Sequence, residues 1–374
     1  MRSFDVAIIG GGLSGSSTAL NLSKKGYSVI IFEKESNRSL IPCAGGMASS
    51  MQKYIPLDIS PALETEVKKV HFTWNFSDKV IAELSGISPF WIINRKNLDE
   101  LLLKEAITYG TEILKHTNIK KLNKENQYWS ITCSNQNIYK SKFLVIADGS
   151  QSKWATNLKL GPSNPKFAKT VGIRLDSKGN IEKDSVRFDF GSVKYGFTWA
   201  FPGKNYTNLG LGTFIGNFNI NDPNLINKLV KDFGFNKHKF EITYKELRIW
   251  NGINKIHNER VLAVGDAASL CDPFLAEGIR PSILSSFYAS ECIDKCLSQK
   301  INDLSEYSKI MKIKWGESMV WGKRIAEVFY RFPKTGYKLG VKRKTAPKRI
   351  AQILSGDMSY SDIARRVIKR LILR

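Results

Sequence analysis

The sequence predicts an α/β protein with a Rossmann-like βαβ domain, an antiparallel-sheet substrate domain and a helical C-terminal region. Three observations support this prediction. A glycine-rich turn follows a short apolar run near residue 10, aromatic and β-branched residues alternate with polar ones from about 165 to 248, and the basic stretch 301–374 is mostly helical in pattern. The 374 residues suit two domains, or one large domain with an insertion.

The first elements are predicted to form a βαβ unit. Residues Asp5–Ile9 are mostly apolar and predict a buried strand, and Ser28–Phe32 repeat that pattern after a helix that Gly26 ends. The turn Gly10–Gly15 separates the first strand from the helix. A strand, a tight turn, a helix and a second strand in this order are typical of the start of a parallel sheet.

The glycine turn indicates dinucleotide binding. Gly10 permits the tight turn, Gly12 lets the backbone approach a pyrophosphate, and Gly15 lets the helix pack against the strand. The start of the helix offers N–H groups and the positive end of its dipole to the phosphates. Glu33 ends the second strand, where it is placed to accept hydrogen bonds from an adenosine ribose. The pattern suits FAD and NAD equally. The residues predicted to bind the cofactor here are Gly10, Gly12, Leu13, Ser14, Gly15 and Glu33.

The rest of the chain is predicted to alternate between strands and helices. One helix has Asn97 as its predicted N-cap and ends at Gly110, and a long one runs from about 279 to 297. The stretch 65–90 shows the same alternation of aromatic and β-branched residues with polar ones as 165–248, so we place both in one antiparallel sheet. The predicted strands are Thr111–Lys115, Trp129–Cys133, Phe143–Ala147, Ser185–Phe190, Gly196–Phe201, Leu209–Phe214 and Val261–Val264.

These elements predict three regions. The dinucleotide-binding domain comprises 1–64, 91–164 and 249–300, the antiparallel-sheet substrate domain comprises 65–90 and 165–248, and the basic helical C-terminal region comprises 301–374.

Two later segments favour FAD over NAD. Phe143–Gly149 ends a strand on an acidic residue and a glycine, and Val261–Asp266 does so again before Glu277-Gly278-Ile279. With the N-terminal turn they resemble the FAD-binding fold of the aromatic hydroxylase class. That resemblance implies that Asp266 holds the ribitol and that the helix after it points its N-terminus at the flavin. It places these residues at the cofactor: Arg95, Asp148, Gly149, Asp266, Gly278 and Ile279. For Arg95, a structural surface arginine is the alternative.

Two further motifs resemble those of geranylgeranyl reductases. Phe197–Pro202 is followed, after seven residues, by Gly210-Leu211-Gly212, as in that family's aromatic motif. Ile41–Gly46 is similar to that family's Cys-Gly-rich loop beside the flavin. Leu354–Tyr360 also resembles the family, but more weakly. The chain thus resembles, over about residues 1–300, the geranylgeranyl reductase family of FAD-dependent oxidoreductases.

The resemblance implies reduction of C=C bonds in a geranylgeranyl chain by reduced FAD. In that family the geranylgeranyl chain belongs to a diphosphate, a chlorophyll ester or a prenyl lipid. Cys43 is the candidate catalytic residue, as a proton donor beside the flavin; a water is the other donor, and a small buried hydrophobe is the structural alternative for the cysteine. The side chains predicted to line an apolar substrate tunnel, with the core of the sheet as their competing use, are Phe197, Trp199, Phe201 and Pro202.

Three residues depart from the family pattern. Ala44, Ser269 and Ala276 stand where glycine is usual. Each adds a small side chain near the flavin, which puts the particular substrate in doubt more than the cofactor.

The charge predicts an acidic partner. Lys and Arg total 57 against 34 Asp and Glu, a net charge of +23. In the last helix Ile363, Val367 and Leu371 recur every four residues beside basic ones, so it either lies on an anionic bilayer or packs on the protein with a solvated basic face. No nucleic-acid recognition module accompanies the charge. The five scattered cysteines and four histidines predict reduced thiols and no metal site.

The expected location is cytoplasmic, peripheral at the membrane surface if the basic tail binds lipid. The longest apolar runs are too short for a spanning helix. Either NADPH or reduced ferredoxin is the expected electron donor. Three alternatives stay open for the function: a flavin monooxygenase of the same fold, a lycopene-cyclase-like flavoprotein, and a non-catalytic flavoprotein scaffold.

Overall fold

The computed structural model describes residues 2–35, 43–84, 89–177, 179, 181–216, 218–235 and 240–372, with the backbone alone for Val367 and 370–372. The strands, numbered in chain order, are β1 (Arg2–Ile9), β2 (Val29–Phe32), β3 (Gly46–Ala48), β4 (Leu63–Val67), β5 (Lys69–Trp74), β6 (Ser77–Glu83), β7 (Phe90–Ile93), β8 (Glu112–Leu114), β9 (Ile119–Glu125), β10 (Tyr128–Cys133), β11 (Ile138–Ile146), β12 (Lys166–Leu175), β13 (Ser185–Phe190), β14 (Gly196–Pro202), β15 (Thr207–Thr213), β16 (Phe240–Ile249), β17 (His257–Asn258) and β18 (Val261–Ala263).

The helices follow the same numbering. They are α1 (Leu13–Ser23), α2 (Arg95–Thr108), α3 (Lys153–Asn157), α4 (Pro223–Asp232), α5 (Ile279–Gln299), α6 (Ser305–Met311), α7 (Glu317–Arg331), α8 (Pro333–Gly336), α9 (Ala346–Leu354) and α10 (Tyr360–Ile372). Single π-helical turns, Lys312–Gly316 and Tyr337–Val341, join α6 to α7 and extend α8.

The predicted βαβ unit is confirmed. β1 pairs in parallel with β2 on one side and with β11 on the other. They belong to a sheet that has eight strands over the described residues. Six follow the order β17-β18-β11-β1-β2-β8, and β10 pairs with β11 and with β9 outside that order. All four residues of β2 are buried, as expected where helices and loops cover both faces of a parallel sheet. The carboxyl ends of β1, β2, β11 and β18 therefore meet at one edge.

The helix α1 packs closely against α5 because both helices present small side chains. The hydroxyl of Ser286 donates to the Ser14 carbonyl oxygen at 2.8 Å, and that of Ser290 to the Thr18 carbonyl at 3.4 Å. Every residue of α1 is buried. This packing holds the N-termini of α1 and α5 on the same side of the sheet as the strand ends.

A second sheet has seven strands in the order β16-β12-β15-β14-β13-β5-β6. The expectation of a wholly antiparallel sheet is wrong for one pair, since β5 and β13 run parallel. More than a hundred residues, including α2 and α3, connect these two strands, which is ample for the crossover that a parallel pair needs. β5 and β6 join this sheet as expected for 65–90, whereas β4 and β7 pair with β3 in a separate three-stranded sheet.

The cap of α2 lies three residues earlier than predicted. Asn94 is the N-cap, and its side chain accepts a hydrogen bond of 3.1 Å from the Asn97 N–H. Asn97, the predicted cap, is already helical. Both residues are asparagines, so the local preference at an N-cap does not distinguish them.

Two buried tyrosines fasten the C-terminal helices to the rest of the protein. The Tyr337 hydroxyl donates to the Asp78 carbonyl oxygen at 2.6 Å, at the start of β6. The Tyr360 hydroxyl donates to Asp272 Oδ2 at 2.8 Å, in the loop before α5. The C-terminal helices are thus hydrogen-bonded both to the second sheet, at β6, and to the loop before α5.

The last helix packs on the protein. α10 lies against α7, its Tyr360 and Ala364 are buried, and Ile363 contacts the core. Its exposed basic side chains include Arg365, Arg366 and Lys369. The side chains of Val367 and Leu371, which the predicted apolar stripe also used, lie outside the described residues. Over the part of the chain that the structure describes, none of the helices is both long and apolar enough to cross a membrane.

Candidate functional site

A cavity of about 930 Å³ lies where the strand ends of the first sheet face the second sheet. Its walls come from the glycine turn, the end of β2, the loop 43–46, the start of α2, the loop after β11, strands β14 and β16, and the start of α5. The predicted site residues that line it are Gly10, Gly12, Leu13, Ser14, Glu33, Cys43, Arg95, Asp148, Gly149, Phe197, Trp199, Phe201, Asp266, Gly278 and Ile279. Gly15 and Pro202 are outside this lining.

The glycine turn is compact enough to require glycine at both ends. Gly10 has a φ of +95°, and a Cβ there would lie 2.4 Å from the Ala147 carbonyl oxygen. A Cβ at Gly15 would lie 1.9 Å from the carbonyl oxygen of Gly10. Gly12 is the N-cap of α1, and no described side chain caps this helix. Its first N–H groups therefore remain available to a phosphate at the cavity.

Glu33 connects the glycine turn to the end of β2. Its Oε2 accepts a hydrogen bond from the Gly11 N–H, and its Oε1 accepts one from the Glu35 N–H, both at 2.9 Å. These bonds hold the carboxylate at the cavity wall, and a carboxylate is the kind of group that accepts hydrogen bonds from ribose hydroxyls.

Asp148 brings a buried acceptor to the cavity. Its Oδ1 has no hydrogen-bond partner among the described residues. Burial raises the pKa of Asp148, although a hydrogen bond from Ser152 opposes that change. A buried polar atom without a partner is costly. A cofactor hydroxyl would supply the missing partner, so this position fits FAD.

Asp266 stands at the N-terminus of α5. A Cβ built on Gly278, the N-cap of that helix, would lie 3.4 Å from Asp266 Oδ1. No described side chain caps α5 either. The ammonium of Lys245, from β16, is 3.7 Å from Asp266 Oδ2. Sequence reasoning missed Lys245, because its strand is distant in the chain and carries no motif.

Two of the three departures from the family's glycines adopt glycine-like backbone. Ser269 has a φ of +57° and Ala276 a φ of +56°. This left-handed conformation costs an L-residue about 1–2 kcal/mol. Ala44 is different, because the left-handed residue of its loop is Gly45, with a φ of +85°. Ser269 and Ala276 therefore carry backbone strain in the segment that leads into α5.

Cys43 is held between a backbone amide and a buried arginine. Its Sγ lies 3.4 Å from the Gly45 N and 3.7 Å from an Arg95 guanidinium nitrogen, both of which donate to it. Arg95 also pairs with Asp99 at 3.1 Å, and its side chain is only 15% exposed. Burial alone would lower the pKa of Arg95, but Asp99 and Cys43 outweigh burial and raise it. Arg95 thus lies at the cavity wall and is mostly buried, while Cys43 both lines the cavity and packs against the hydrophobic core.

The predicted aromatic wall forms on one face of β14. Phe197, Trp199 and Phe201 line the cavity together with Phe188 of β13. The Phe188 ring centroid is 5.6 Å from that of Phe197 and 5.4 Å from that of Phe201, in edge-to-face contacts. Pro202 was predicted as part of this wall. It lies outside the cavity lining because successive residues of a strand face opposite sides of the sheet.

The glycines of the aromatic motif lie directly across from its rings. In the β14–β15 pair, Trp199 is opposite Gly210 and Phe197 is opposite Gly212. A Cβ on Gly210 would lie 2.2 Å from the Trp199 ring. The spacing of the motif is therefore the register of a hairpin in which aromatic rings cover glycines.

A buried ion pair joins the cavity to the C-terminal region. Glu277, which lines the cavity, pairs with Arg280 at 2.9 Å. Arg280 also donates to the carbonyl oxygens of Ile353 and Leu354, both at 2.9 Å. Burial raises the pKa of Glu277 to about 7, and the positive charge of Arg280 limits that rise. The weak motif Leu354–Tyr360 thus lies where α9 meets the start of α5.

Comparison with known proteins agrees with this geometry. A family model described as an FAD binding domain matches residues 3–300. A digeranylgeranylglycerophospholipid reductase of Methanosarcina acetivorans is 24% identical over 84% of this chain and 81% of its own. A geranylgeranyl bacteriochlorophyll reductase-like protein from Thermoplasma acidophilum has a TM-score of 0.84 at 21% identity, over 99% of both chains. The halogenase PltM has a TM-score of 0.70 at 15% identity, over 97% of this chain and 85% of its own.

The family match covers most of the chain, and the cavity fits the cofactor that the family binds. The glycine cradle, the two uncapped helix N-termini and the buried Asp148 acceptor all lie at the same edge of the sheet. The chain therefore belongs to the FAD binding domain family, as an FAD-dependent oxidoreductase of the geranylgeranyl reductase-like type.

Proposed function

We propose that this protein reduces C=C bonds of a geranylgeranyl chain carried by a diphosphate, a chlorophyll ester or a prenyl lipid. One observation carries the proposal: the wall formed by Phe197, Trp199 and Phe201 lines the same cavity as the glycine turn and the start of α5. A long apolar chain suits such a wall, because large aromatic side chains bury much apolar surface. The names of the archaeal relatives, digeranylgeranylglycerophospholipid reductases, support a prenyl lipid.

Bound FAD, once reduced, supplies the hydride for the double bond. The residues proposed to hold it are Gly10, Gly12, Leu13, Ser14, Gly15, Glu33, Arg95, Asp148, Gly149, Asp266, Gly278 and Ile279. The N–H groups at the start of α1 would bind the phosphates, and those at the start of α5 would face the ring. Glu33 and Asp148 would accept from hydroxyl groups, while Asp266 would hold the ribitol.

Cys43 is the proposed proton donor. An isolated alkene accepts a hydride poorly unless a proton arrives with it. The Cys43 thiol faces the cavity, and the Arg95 guanidinium 3.7 Å away would stabilise the thiolate left after the proton moves to the alkene carbon. The aromatic wall would hold the chain in place and exclude water from the reacting bond. A water bound in the cavity is the alternative donor.

The electrons are proposed to come from NADPH or reduced ferredoxin. A net charge of +23 favours encounter with an acidic electron carrier through long-range attraction. Transfer rates measured with each donor, at two ionic strengths, would separate them. Electron transfer from ferredoxin should slow as salt rises.

The test is an anaerobic flavin experiment. The FAD of the purified protein is reduced chemically, geranylgeranyl diphosphate is added without oxygen, and the flavin absorbance is followed. We expect the flavin to return to its oxidised form with the geranylgeranyl substrate, while a fully saturated chain with the same head group leaves it reduced.

Other results would favour the other readings. Re-oxidation that requires both oxygen and substrate would indicate a monooxygenase. Rearranged product without re-oxidation would indicate a cyclase-like protein. A bound, reducible flavin that none of the geranylgeranyl diphosphate, lipid and pigment-ester substrates re-oxidises would indicate a scaffold.

A further inference from the structure

The segment from Arg324 to Lys348 is strongly basic. It has eight Lys and Arg against one acidic residue, Glu327, a balance of 8 − 1 = +7 within 25 residues. All eight basic side chains are exposed. Glu327 lies 3.4 Å from the ammonium of Lys323, just outside the segment, so its charge is already compensated. Lys342 pairs with Asp78 of β6 at 2.6 Å, so the segment presents a positive surface apart from these two ion pairs.

The same segment exposes large apolar side chains. Val328 is 66% exposed, Phe332 60% and Leu339 52%. Among the large apolar side chains of the described residues, Ile313, at 61%, is the only other one above 52%. We call the surface formed by these three residues and the eight basic ones the cationic face. The basic members are Arg324, Arg331, Lys334, Lys338, Lys342, Arg343, Lys344 and Lys348.

The exposure is not the result of a loosely attached segment. Between the exposed residues, Phe329, Tyr330 and Tyr337 are buried. The Phe329 ring packs 5.1 Å from that of Phe190 of β13, and Tyr337 donates to the Asp78 carbonyl. The apolar members of the cationic face point outward from a segment that is fastened on its other side.

A groove adjoins this surface. It has a volume of about 550 Å³, and Phe332, Lys334 and neighbouring residues of α8 form one wall. The opposite wall includes Trp74 and Phe218. The exposed ring of Phe332 therefore continues into a concave surface with further aromatic side chains. Lys194 also lines the groove and adds a positive charge on that wall.

We propose that the cationic face docks the protein on an anionic lipid bilayer. Basic side chains beside a bilayer are attracted to its acidic head groups, and exposed apolar side chains insert below them. A protein partner fits less well, because lysine is depleted in protein interfaces and five of the eight basic residues are lysines. The surface assigned runs from α7 through α8 to the first turn of α9. It excludes the last helix, whose Tyr360, Ile363 and Ala364 pack on the protein. The proposal concerns docking and does not depend on the reaction catalysed.

The test is sedimentation of the FAD-loaded protein with lipid vesicles. Vesicles of phosphatidylcholine alone are compared with vesicles that also contain phosphatidylglycerol, at low and high salt. We expect binding to the anionic vesicles only, weakened by salt because the Debye length shortens. Equal binding to both kinds of vesicle, or to neither, would overturn the proposal.

Variants test the two components separately. The triple change Val328→Ser, Phe332→Ser and Leu339→Ser should lower vesicle binding at least about tenfold. Neutralising Arg331, Lys334 and Lys338 to Gln should lower it about a hundredfold, from about fivefold for each charge. The matched controls should bind like wild type; they are Ile107→Ser and the triple change to Gln at Lys115, Lys120 and Lys121.

FAD content and circular dichroism show whether each variant is folded. If the apolar triple variant does not fold, the charge variant, which changes only exposed positions, carries the test. Full vesicle binding by a folded apolar triple variant would mean a purely electrostatic patch that suits any polyanion, including nucleic acid, and would overturn the bilayer proposal. Full binding by the neutralised variant would overturn it as well.

Discussion

Replacing Gly210 by alanine tests whether the glycines of the aromatic motif leave room for the rings of the aromatic wall. A Cβ at this position would lie 2.2 Å and 2.4 Å from two atoms of the Trp199 ring and 2.7 Å from the Val171 carbonyl oxygen. Carbon atoms in contact prefer about 3.5–4.0 Å. The ring must therefore move by more than an ångström, away from the position at which it lines the cavity.

The cost of that movement follows from known effects. Forcing an extra methyl group into a packed region costs about 1–3 kcal/mol. Removing a glycine from a strand returns about 0.5–1 kcal/mol. We expect Gly210→Ala to lower the free energy of unfolding by about 1–2 kcal/mol, and to weaken binding of a geranylgeranyl ligand while FAD content stays unchanged.

The neighbouring glycine supplies the matched control. A Cβ on Gly212 would lie 3.3 Å from a methyl group of Thr170 and 3.5 Å from the Trp199 ring, so small shifts suffice. Gly212→Ala should therefore cost less than about 1 kcal/mol. Urea unfolding followed by circular dichroism gives the stabilities, and flavin fluorescence with added ligand gives the binding. Equal stabilities for the two variants, or unchanged ligand binding by Gly210→Ala, would refute this account of the motif.

Four further predictions concern the cavity itself. Trp199→Ala should weaken binding of the long-chain substrate and leave FAD content intact; loss of both together would mark the side chain as structural. Cys43→Ala should bind FAD and accept electrons normally but reduce substrate at least about a hundredfold more slowly, as loss of a proton donor does; reduction at the wild-type rate would end that assignment. Ala276→Gly should raise the free energy of unfolding by about 0.5–1 kcal/mol, because relief of left-handed strain exceeds the chain entropy that glycine adds; urea unfolding that shows a less stable variant would contradict the strain. Because burial raises the pKa of Glu277 from 4.5 to about 7, its proton is held more tightly in the folded protein, and the resulting stability, present below pH 4.5, is lost as pH rises through about 7. Urea unfolding should show that wild type loses up to about 3 kcal/mol of unfolding free energy over that pH range relative to Glu277→Gln. Unfolding free energies that change in parallel with pH in the two proteins would contradict the raised pKa.

The dinucleotide part was predictable because its signals are local. The turn Gly10–Gly15 lies between two apolar runs, and Gly10 and Gly15 each meet a steric requirement within a few residues or at the adjacent strand. The shared face of Phe197, Trp199 and Phe201 was also predictable, since alternation along Gly196–Phe201 fixes which side chains lie on the same side of the strand. The same alternation excludes Pro202, which the sequence prediction had grouped with the wall.

Features that depend on long-range contacts were not predictable. The parallel pairing of β5 with β13, the approach of Lys245 to Asp266 and the link from Arg280 to Leu354 each join residues far apart in the chain. None of them leaves a local periodicity. The departure at Ala276 was visible in the sequence, but its left-handed backbone was not, because a single alanine does not indicate its own conformation. The boundaries of the three predicted regions stay a prediction.

The central claim is that reduced FAD and a prenyl chain meet in the cavity lined by Phe197, Trp199 and Phe201. The most direct measurement is the mass of a geranylgeranyl substrate after anaerobic incubation with the chemically reduced protein, for the diphosphate, the glycerophospholipid and the pigment ester in turn. We expect the mass to rise by one H2 for each double bond reduced, with at least one of these head groups. An unchanged mass for all three, with FAD bound and reducible, would contradict it.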